Sequence, residues 1–467
     1  MIKMIFLDRA YEYDLTNLYK MVYPGEPFCL YDPYQAEKEN GANNEQVNKN
    51  KIDQEENFLQ DEKYILANRQ GDTYILRISI DKEATYETVI TPGSRKDTKN
   101  QVKRFAYDSL SDYTGKTLEW GVLTGIRPTK IVMEYLEKGK THDEIRELLR
   151  DEYYISDKKI EMMLDITSRE YQLLSQIDEK NSYSLYVGIP FCPTKCLYCS
   201  FTSYPIDRWD RRVDDYITAV IKELTEIAKL SKDKKLVSIY IGGGTPTSIN
   251  ADQLERLQKA IQELFSMDDL LEYTVEAGRP DTITREKLEV IKKYGATRLS
   301  INPQTMQQKT LDLIGRQHTI QDIRDAYDLA KEVGFTNINM DLIIGLPEES
   351  SEDMIDTLEQ IETLSPDSLT VHVLALKRAS RLAEKIDQYS FTGDTEAKKM
   401  EDITWEFAKK KGLNPYYLYR QKSMVGNLEN IGYALEGKEC IYNILIMEER
   451  HTIMAAGAGA ATKHVYH

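Results

Sequence analysis

In residues 182–380 short apolar runs alternate with amphipathic stretches, and this pattern constrains the possible folds of the chain more than any other feature of the sequence. Strands separated by helices pair in parallel through right-handed crossovers, and the helices cover the resulting sheet. The predicted strands are 184–189, 236–241, 271–276, 297–301, 337–343 and 368–374. The predicted helices between them are 208–230, 251–265, 284–294, 320–333 and 351–363.

Six strand–helix units fall short of the eight that close a (β/α) barrel. We therefore expect an α/β fold whose centre is an open, partial (β/α)6 barrel at residues 181–380. The helix at 208–230 shows the expected 3.6-residue apolar period, with a stripe suited to packing on the sheet.

The region before the barrel, residues 1–180, predicts a separate α+β domain. Its runs 63–69 and 73–80 flank Gln70-Gly71-Asp72 and predict a hairpin. Residues 37–58 are almost wholly polar and predict a mobile loop. Helical periodicity predicts helices at 97–113, 128–139, 142–150 and 156–175.

The region after the barrel, residues 381–467, predicts a mixed α/β extension that covers the substrate. It contains one predicted helix near 394–411. Residues 441–454 predict two strands joined by a Glu-Glu-Arg turn, and the following Ala/Gly run predicts tight packing or close approach of a ligand. Because few domains stop on such a run, we expect a truncated chain with poorly ordered last residues.

Composition limits the partners of the chain. Its 467 residues carry 61 Lys and Arg against 77 Asp and Glu, a net charge of -16, which argues against a nucleic-acid partner. An 18-residue apolar run and a signal peptide are both missing from the sequence, so we expect a cytoplasmic protein without a membrane span. We also expect a monomer. Five cysteines are too few for a disulfide framework.

Three of those cysteines lie close together in sequence, at Cys192, Cys196 and Cys199, directly after the first predicted barrel strand. Soft thiolates converging on one short loop suit three corners of a four-iron cluster, and the fourth iron could then be chelated by a small molecule. The alternative, structural zinc, fits less well because zinc needs four protein ligands and no histidine lies near the loop. Cys29 and Cys440 are most simply buried thiols.

Further polar and glycine-rich segments follow the later strands, and in a parallel β/α fold the ligand binds at these strand ends. Three glycines before Thr245 would let the backbone approach a ligand closely. A carboxylate at Glu276 could accept hydrogen bonds from a nucleoside or an amino group. The remaining segments are Asn302-Pro-Gln304, Gly315-Arg316-Gln-His318, and Asp341 with Gly345-Leu-Pro347.

These segments resemble the radical S-adenosylmethionine enzymes, in particular the oxygen-independent coproporphyrinogen III oxidase family and its oxidase-like HemZ branch. The resemblance covers nearly the whole chain. It is carried by Tyr186-Val-Gly-Ile-Pro-Phe-Cys192, the glycine turn, Leu299-Ser-Ile-Asn-Pro-Gln304, the Gly-Arg-Gln-His run, Asp341-Leu-Ile-Ile-Gly-Leu-Pro347, Trp120-Gly-Val-Leu-Thr-Gly-Ile-Arg-Pro128 and Gly426-Asn-Leu-Glu-Asn-Ile-Gly-Tyr433.

The resemblance implies roles for individual residues. It makes Cys192, Cys196 and Cys199 the ligands of a [4Fe-4S] cluster. It assigns contacts with cluster-bound S-adenosylmethionine to Tyr186, Gly243 and Glu276. It matches six further residues to positions that line a second S-adenosylmethionine site in the oxidase: Tyr198, Gly244, Thr245, Gln304, Arg316 and Asp341.

The implied reaction is the oxidative decarboxylation of coproporphyrinogen III to protoporphyrinogen IX in haem biosynthesis, with propionate side chains becoming vinyl groups. It requires a porphyrinogen substrate and an electron donor such as a reductase, flavodoxin or ferredoxin. Two alternatives stay open: a haem-binding or haem-delivery protein that keeps the radical core, and a radical enzyme acting on another tetrapyrrole. The His-Asn pair of the haem-delivery relatives has no histidine here, where the chain reads Gly426-Asn427.

The chain departs from the oxidase pattern at two places. The oxidase has another cysteine where this chain has Phe201, and its N-terminal Tyr-Thr-Ser-Tyr-Pro segment has no counterpart before the cysteines. A similar Phe201-Thr-Ser-Tyr-Pro205 follows the cysteines instead. These departures make S-adenosylmethionine chemistry a firmer expectation than oxidase activity.

Overall fold

The computed structural model describes residues 2–6, 9–23, 26–31, 63–71, 73–80, 84–377, 379–385, 388–421 and 424–466. The polar segment 37–58, predicted as a mobile loop, lies outside these residues. The chain divides into two compact units. One comprises Met1–Gly125 and Glu134–Met163, and the other comprises Ile126–Met133 and Leu164–His467.

The first unit is built on a five-stranded sheet in the order β2-β1-β3-β4-β5. Its strands are β1 (Ile2–Phe6), β2 (Phe28–Tyr31), β3 (Tyr64–Gln70), β4 (Thr73–Ser79) and β5 (Thr85–Ile90). Strand β1 runs parallel to β2 and β3, whereas β3–β4 and β4–β5 are antiparallel. The register of β3 on β4 pairs Gln70 with Thr73, which confirms the predicted hairpin.

Helices accompany this sheet at Glu12–Val22, Arg95–Thr114 and His142–Tyr153. The second of them begins where the Ser94 hydroxyl accepts from the Asp97 N–H, and it ends at Gly115 with φ of 66°. Two more helices, Thr129–Glu137 and Asp157–Leu174, contribute residues to both units. All four helices predicted before residue 180 are confirmed, with ends that differ by a few residues.

The second unit contains a nine-stranded sheet in the order β14-β15-β13-β12-β11-β10-β9-β6-β16. Six consecutive parallel strands form its centre and confirm the six predicted from the sequence. They are β6 (Ser182–Ile189), β9 (Lys235–Gly243), β10 (Glu272–Glu276), β11 (Arg298–Ser300), β12 (Ile338–Ile344) and β13 (Ser368–Val373). A two-stranded parallel pair, β7 (Phe191–Cys192) and β8 (Tyr204–Pro205), follows β6.

The helices of this unit pack their apolar stripes on the sheet. In Val213–Leu230 the buried residues are Val213, Ile217, Val220, Leu224 and Ile227, which share one face of the helix as the apolar period predicts. The other crossover helices are Ala251–Leu264, Arg285–Lys293, Ile320–Glu332 and Ser351–Leu364. Shorter or later helices occupy Ile206–Trp209, Gln308–Leu313, Arg381–Glu384, Asp394–Lys410 and Ile441–Glu448.

The C-terminal extension completes the sheet at both edges. Strands β14 (Asn414–Tyr419) and β15 (Asn430–Ala434) add to β13 in antiparallel pairing. Strand β16 (Thr452–Ala456) returns to the opposite edge and pairs in parallel with β6. The sheet does not close into a barrel, because β14 and β16 lie at its two ends.

The prediction of two strands at 441–454 is wrong for its first half. Residues Ile441–Glu448 form a helix, and only Thr452–Ala456 form a strand. The helix begins where the buried Glu272 carboxylate accepts the backbone N–H groups of Ile441 and Tyr442, at 2.9 and 3.3 Å. These free N–H groups of a first turn need an acceptor, and Glu272 comes from a distant part of the sequence.

The Ala/Gly run after β16 packs closely against β6. Gly457 has φ of 96°, and a Cβ there would lie 2.4 Å from the carbonyl oxygen of Gly188. The Ala458 N–H donates to the Tyr216 hydroxyl at 2.9 Å, and that hydroxyl donates to the Gly188 carbonyl at 2.6 Å. The expectation of tight packing at this run is therefore confirmed, and Lys463 pairs by its backbone with Ile453.

Candidate active site

The three cysteines of the predicted site lie on a loop that begins at the C-terminal end of β6. Backbone contacts fasten this loop to its neighbours: the Leu197 N–H donates to the Ile314 carbonyl at 2.9 Å, and the Thr245 N–H donates to the Phe191 carbonyl at 2.8 Å. The Thr194 hydroxyl donates to the Gly315 carbonyl at 3.0 Å. The loop thus has a fixed position between the turn after β9 and the segment after helix Gln308–Leu313.

The thiols of this loop are close enough to influence one another. Cys196 is buried, and Cys192 and Cys199 are half-buried. Burial raises the pKa of Cys192 to about 11, and the neighbouring Cys196 and Cys199 add to that rise. Three thiolates can therefore coexist here only beside compensating positive charge, as metal coordination supplies. This donor set suits an iron–sulfur cluster with three protein ligands.

A site for one metal ion is a poorer fit to the same loop. Within the described ranges, no three His, Cys, Asp or Glu side chains gather as ligands of a single ion. Structural zinc requires four such ligands on one ion. Structural zinc would therefore lack its four protein ligands among the described residues, whereas a four-iron cluster needs only the three cysteines when a small molecule binds its fourth iron.

Arg279 braces the cysteine loop, a role that sequence reasoning missed. Its side chain is 2% exposed and donates to the Thr194 hydroxyl at 2.7 Å and to the Thr194 carbonyl at 3.2 Å. It also pairs with Asp281 at 2.8 Å, and His318 lies 3.7 Å from the same carboxylate. In the sequence Arg279 is an arginine three residues after the end of β10, and its position there does not indicate its partner.

The glycine turn after β9 is shaped by the cysteine loop. A Cβ at Gly244 would lie 2.7 Å from the Phe191 carbonyl oxygen and 3.0 Å from the Cys192 sulfur. Gly243 has φ of 112°, which side chains disfavour. The Thr245 hydroxyl lies 3.4 Å from the Cys192 sulfur. The turn requires glycine because the backbone there runs against the first cysteine.

Glu276 lies at the end of β10 and faces the same turn. The Tyr240 phenol donates to its Oε1 at 2.5 Å. Burial raises the pKa of Glu276 to about 7; Asp341 adds to this rise, while hydrogen bonds from Tyr240 and the Gly243 N–H oppose it. A Cβ at Gly242 would lie 3.0 Å from the Glu276 Oε2, so a glycine makes room for this carboxylate.

Three stacked tyrosine rings lie beside Glu276. Tyr186 stacks on Tyr240 with ring centroids 6.1 Å apart, and Tyr240 stacks on Tyr442 at 4.6 Å. Tyr186 and Tyr240 are register partners on β6 and β9, whereas Tyr442 belongs to the C-terminal helix. Sequence reasoning assigned Tyr186 to the site and missed Tyr240 and Tyr442.

Gln304, Arg316 and Tyr198 form the next part of the site. Arg316 is 5% exposed; it donates to the Asn302 carbonyl at 2.5 Å and to the Tyr198 hydroxyl at 3.4 Å. Although burial opposes its charge, Tyr198 and Cys196 raise the pKa of Arg316 above its ordinary value.

Gln304 has φ of 72° and a buried Oε1 that accepts no hydrogen bond within the described structure. An unpartnered buried amide on a strained residue is typical of a ligand contact.

Asp341 belongs to a polar group that includes His372, a residue that sequence reasoning missed. The Asp341 carboxylate lies 3.6 Å from the His372 Nε2 and accepts from the Asn339 amide at 2.7 Å. Burial alone would raise the pKa of Asp341, but His372 and Asn339 lower it below the ordinary value. The His372 Nδ1 lies 3.4 Å from the Tyr419 hydroxyl of β14.

Comparison with known proteins gives the family. Residues 186–361 match the Radical SAM superfamily model. The oxygen-independent coproporphyrinogen-III oxidase-like protein HemZ of Bacillus subtilis (strain 168) is 44% identical over 374 residues, covering 79% of this chain and 75% of that protein. The chain belongs to the HemZ-like family of radical S-adenosylmethionine proteins. Its cofactors are a [4Fe-4S] cluster and S-adenosylmethionine.

Two further likenesses extend this picture of the HemZ-like chain. The heme chaperone HemW of Bacillus subtilis (strain 168) is 35% identical over 195 residues, which are 42% of this chain and 51% of that protein. The structure of coproporphyrinogen III oxidase HemN from Escherichia coli, a radical SAM enzyme, matches with a TM-score of 0.52 and 25% identity, covering 62% of this chain and 67% of that one. The predicted α/β radical S-adenosylmethionine fold is confirmed.

No helix in the described part of the chain is both long and apolar enough to cross a membrane.

Proposed function

We propose that this chain is an oxygen-independent coproporphyrinogen III oxidase-like enzyme, which converts propionate side chains of coproporphyrinogen III into vinyl groups. The observation that supports it most is the meeting of the cysteine loop, Glu276 and Asp341 at one edge of six parallel strands. Its family membership supports the same chemistry, since the HemZ and HemN proteins carry oxidase or oxidase-like names.

In this proposal Cys192, Cys196 and Cys199 hold the cluster. With S-adenosylmethionine bound, the cluster would supply the one-electron reduction that cleaves it. Arg279 and the glycine turn keep the thiols in position through the contacts to Thr194 and Cys192. The protein's own task is to hold the reacting carbon near the radical and to exclude water.

Glu276 and Gly243 bind the S-adenosylmethionine held at the cluster, with Tyr186 beside them. The Glu276 carboxylate accepts hydrogen bonds from the nucleoside or amino donors, and the cationic ligand favours its ionised form. Gln304, with its unpartnered Oε1, Arg316, Tyr198 and Asp341 line the adjoining volume, where a second S-adenosylmethionine or the substrate binds.

Each ionised substrate propionate would give up one hydrogen atom, one carbon dioxide and one electron, and a vinyl group would be left. The hydrogen atom would leave as part of 5′-deoxyadenosine, and the electron would pass to a one-electron acceptor. An electron donor of the reductase, flavodoxin or ferredoxin type supplies the electron that starts each turnover.

The test is an anaerobic reaction of the reconstituted protein with coproporphyrinogen III, S-adenosylmethionine, a reductant and a one-electron acceptor. We expect carbon dioxide, 5′-deoxyadenosine and a mono- or divinyl product, with Glu276→Ala as the variant that loses all three. Formation of 5′-deoxyadenosine without any carbon dioxide would show that another substrate is used.

The second candidate is a haem-binding protein, favoured by the 35% identity with the heme chaperone HemW. Against it stands the Gly426-Asn427 segment, in which the Asn427 side chain accepts from Arg420 at 2.8 Å and no histidine precedes it. Titration with haem in the same preparation distinguishes the two functions. Stoichiometric haem binding without decarboxylation would favour the chaperone function.

A further inference from the structure

The buried carboxyl of Glu349 has no role in the site described above, although it contacts a segment of that site. Glu349 is 6% exposed and lies two residues after the Gly345-Leu-Pro347 segment that follows β12. The Thr305 hydroxyl donates to its Oε1 at 2.6 Å. Thr305 is 1% exposed and directly follows Gln304, whose buried amide oxygen accepts no hydrogen bond within the described structure. The bond therefore joins two segments that follow the neighbouring strands β11 and β12.

The start of the helix that follows does not explain why this carboxyl is buried. Helix Ser351–Leu364 is capped by Ser350, whose hydroxyl accepts from the Asp353 N–H, while the Asp353 carboxylate accepts from the Ser350 N–H at 2.9 Å. The N–H of the first helical residue donates to Glu396 at 2.8 Å. These contacts supply the first turn with acceptors, so the helix begins without help from Glu349.

Burial makes the carboxyl of Glu349 costly to ionise. It raises the pKa of Glu349 to about 7; the hydrogen bond from Thr305 opposes this rise, and the nearby Asp353 adds to it. Lys309 also opposes the rise, but its ammonium pairs with Asp353 at 2.8 Å. Ionisable groups whose pKa is shifted by burial and by specific neighbours gather at functional sites.

The backbone that carries Glu349 is itself held in an unusual conformation. Glu348 has φ of 64°, a left-handed conformation, and its N–H donates to the Ser390 carbonyl at 3.1 Å. The Glu349 carbonyl accepts from the Thr392 hydroxyl at 3.0 Å. Strained backbone of this kind persists only where surrounding contacts fix it. The C-terminal extension thus supplies the contacts that place Glu349 beside Thr305.

The turn that contains Gln304 is fixed on two sides. On one side β12 holds the Gln304 backbone: its N–H donates to the Asp341 carbonyl at 2.8 Å, and its carbonyl accepts from the Ile343 N–H at 2.9 Å. The φ of Gln304 is 72°, which is unfavourable for any residue with a side chain. On the other side, one residue later, the turn is held by the hydrogen bond from Thr305 to Glu349.

We propose that Glu349 is a positioning residue that acts through Thr305: it fixes the strained turn so that the Gln304 amide contacts its ligand. The inference deepens the proposed function and rests on it in one point, that Gln304 contacts S-adenosylmethionine or the substrate. Because Thr305 donates, the turn requires an acceptor oxygen at position 349. An amide oxygen should serve there as well as a carboxylate oxygen does.

The test is calorimetric titration of the reconstituted protein with S-adenosylmethionine and, separately, with coproporphyrin III, the stable oxidised form of the proposed substrate. Gln304→Ala should weaken one of these ligands roughly three- to tenfold, the effect of losing one hydrogen bond. Glu349→Leu and Thr305→Val should weaken the same ligand by a similar factor, since each removes one partner of the 2.6 Å bond. Glu349→Gln and Thr305→Ser keep the bond and should bind as the unaltered protein does.

A double variant shows whether Thr305 acts through Gln304. Gln304→Ala combined with Thr305→Val should bind no more weakly than Gln304→Ala alone. A residue that acts only through a second residue has no further effect once that second residue is removed.

Two matched controls carry the same chemical changes on helix Asp394–Lys410. Thr404→Val alters another threonine that is 1% exposed, whose hydroxyl donates to the Met400 carbonyl at 2.7 Å. Glu396→Leu removes the carboxylate that accepts from the Ser351 N–H. Both controls should bind the two ligands as the unaltered protein does.

The outcomes separate this inference from the proposed function. Variants that keep about four irons and lose affinity for the ligand that Gln304→Ala weakens support the inference. Normal binding by Thr305→Val and Glu349→Leu, with weakened binding by Gln304→Ala, would overturn it and leave the proposed function intact. A double variant weaker than Gln304→Ala alone would also overturn it. Unchanged binding of both ligands by Gln304→Ala would contradict the place of Gln304 in the proposed function, and the inference with it.

Discussion

The phenol of Tyr240 donates a 2.5 Å hydrogen bond to Oε1 of Glu276, joining β9 to the end of the neighbouring parallel strand β10. The carboxyl group stays half-buried beside Asp341, and its pKa is raised to about 7. The group is therefore divided between its neutral and ionised forms near neutral pH. A cationic ligand at this edge should shift that balance towards the carboxylate.

S-adenosylmethionine binding should consequently release a proton from Glu276 near pH 7. Affinity should fall as the pH drops below about 7, since the neutral form must first ionise. Calorimetry in buffers with different ionisation enthalpies measures the released proton. Glu276→Gln should abolish that release and weaken binding roughly ten- to hundredfold, the effect of losing one hydrogen bond to a charged group. Equal proton release by this variant would mean that another group ionises.

Each cysteine of the motif should be required for the cluster. Cys192→Ala, Cys196→Ala and Cys199→Ala should each reduce the iron content of anaerobically reconstituted protein well below four per chain, because no other cysteine lies nearby in sequence. Cys440→Ala is the matched control: its thiol is buried and donates to Glu272 at 3.3 Å, remote from the loop in sequence. Cys440→Ala should keep its iron, with a modest loss of stability. Full iron content in any motif variant would exclude that residue as a ligand.

The glycine turn should be intolerant of even one added carbon at Gly244. Gly244→Ala sets a Cβ 2.7 Å from the Phe191 carbonyl oxygen and 3.0 Å from the Cys192 sulfur, so the first cysteine must move. Iron analysis after reconstitution should show less cluster than in the unaltered protein. Gly393→Ala is the control, because no atom lies within 4 Å of its added Cβ. Similar iron content in the two variants would show that the loop adapts freely.

A buried carboxyl away from the cysteines should limit stability at neutral pH. Glu170 is fully buried, and its two oxygens accept no hydrogen bond within the described structure. Burial, together with the nearby Glu448, raises its pKa well above the ordinary value. The folded chain therefore holds a proton that the unfolded chain releases above about pH 4.5, so stability falls as the pH rises from there towards the folded pKa.

Glu170→Met removes both unpartnered oxygens, and it should stabilise the protein at pH 8 by roughly 1–3 kcal/mol. The gain should shrink at pH 5, which lies only just above the ordinary glutamate pKa, so that the unfolded chain gains little free energy there by ionising. Urea unfolding of the variant and of the unaltered protein at the two pH values measures this difference in the free energy of unfolding. A variant less stable than the unaltered protein at pH 8 would show that an ordered water or a cation compensates Glu170.

The sequence was sufficient to predict the six central strands because local signals agree there. Each strand is a short apolar run bounded by glycine, proline or a polar turn, and each is followed by a helix with its own apolar period. The parallel topology alone places polar residues of different strands, such as Glu276 at the end of β10 and Asp341 within β12, on the same sheet. The hydrogen-bond partners of these residues could not be predicted from the sequence, because they depend on tertiary contacts.

The sequence-based predictions failed for residues whose neighbours in the fold come from distant segments of the chain. The run Ile441–Glu448 is apolar and rich in isoleucine, which fits a strand or a buried helix equally well. The helix forms because the carboxylate of Glu272 accepts the backbone N–H groups of the first turn of Ile441–Glu448. Tyr442 stacks on Tyr240 only because that helix forms, and Arg279 and His372 meet Thr194 and Asp341 through tertiary contacts.

The central claim is that Cys192, Cys196 and Cys199 hold a four-iron cluster with one iron free to bind S-adenosylmethionine. Paramagnetic resonance of the reduced, reconstituted protein with and without saturating S-adenosylmethionine tests it most directly. The account predicts a cluster signal whose g-values change on addition, and no such signal in Cys196→Ala. A signal that saturating S-adenosylmethionine leaves unchanged would contradict the account.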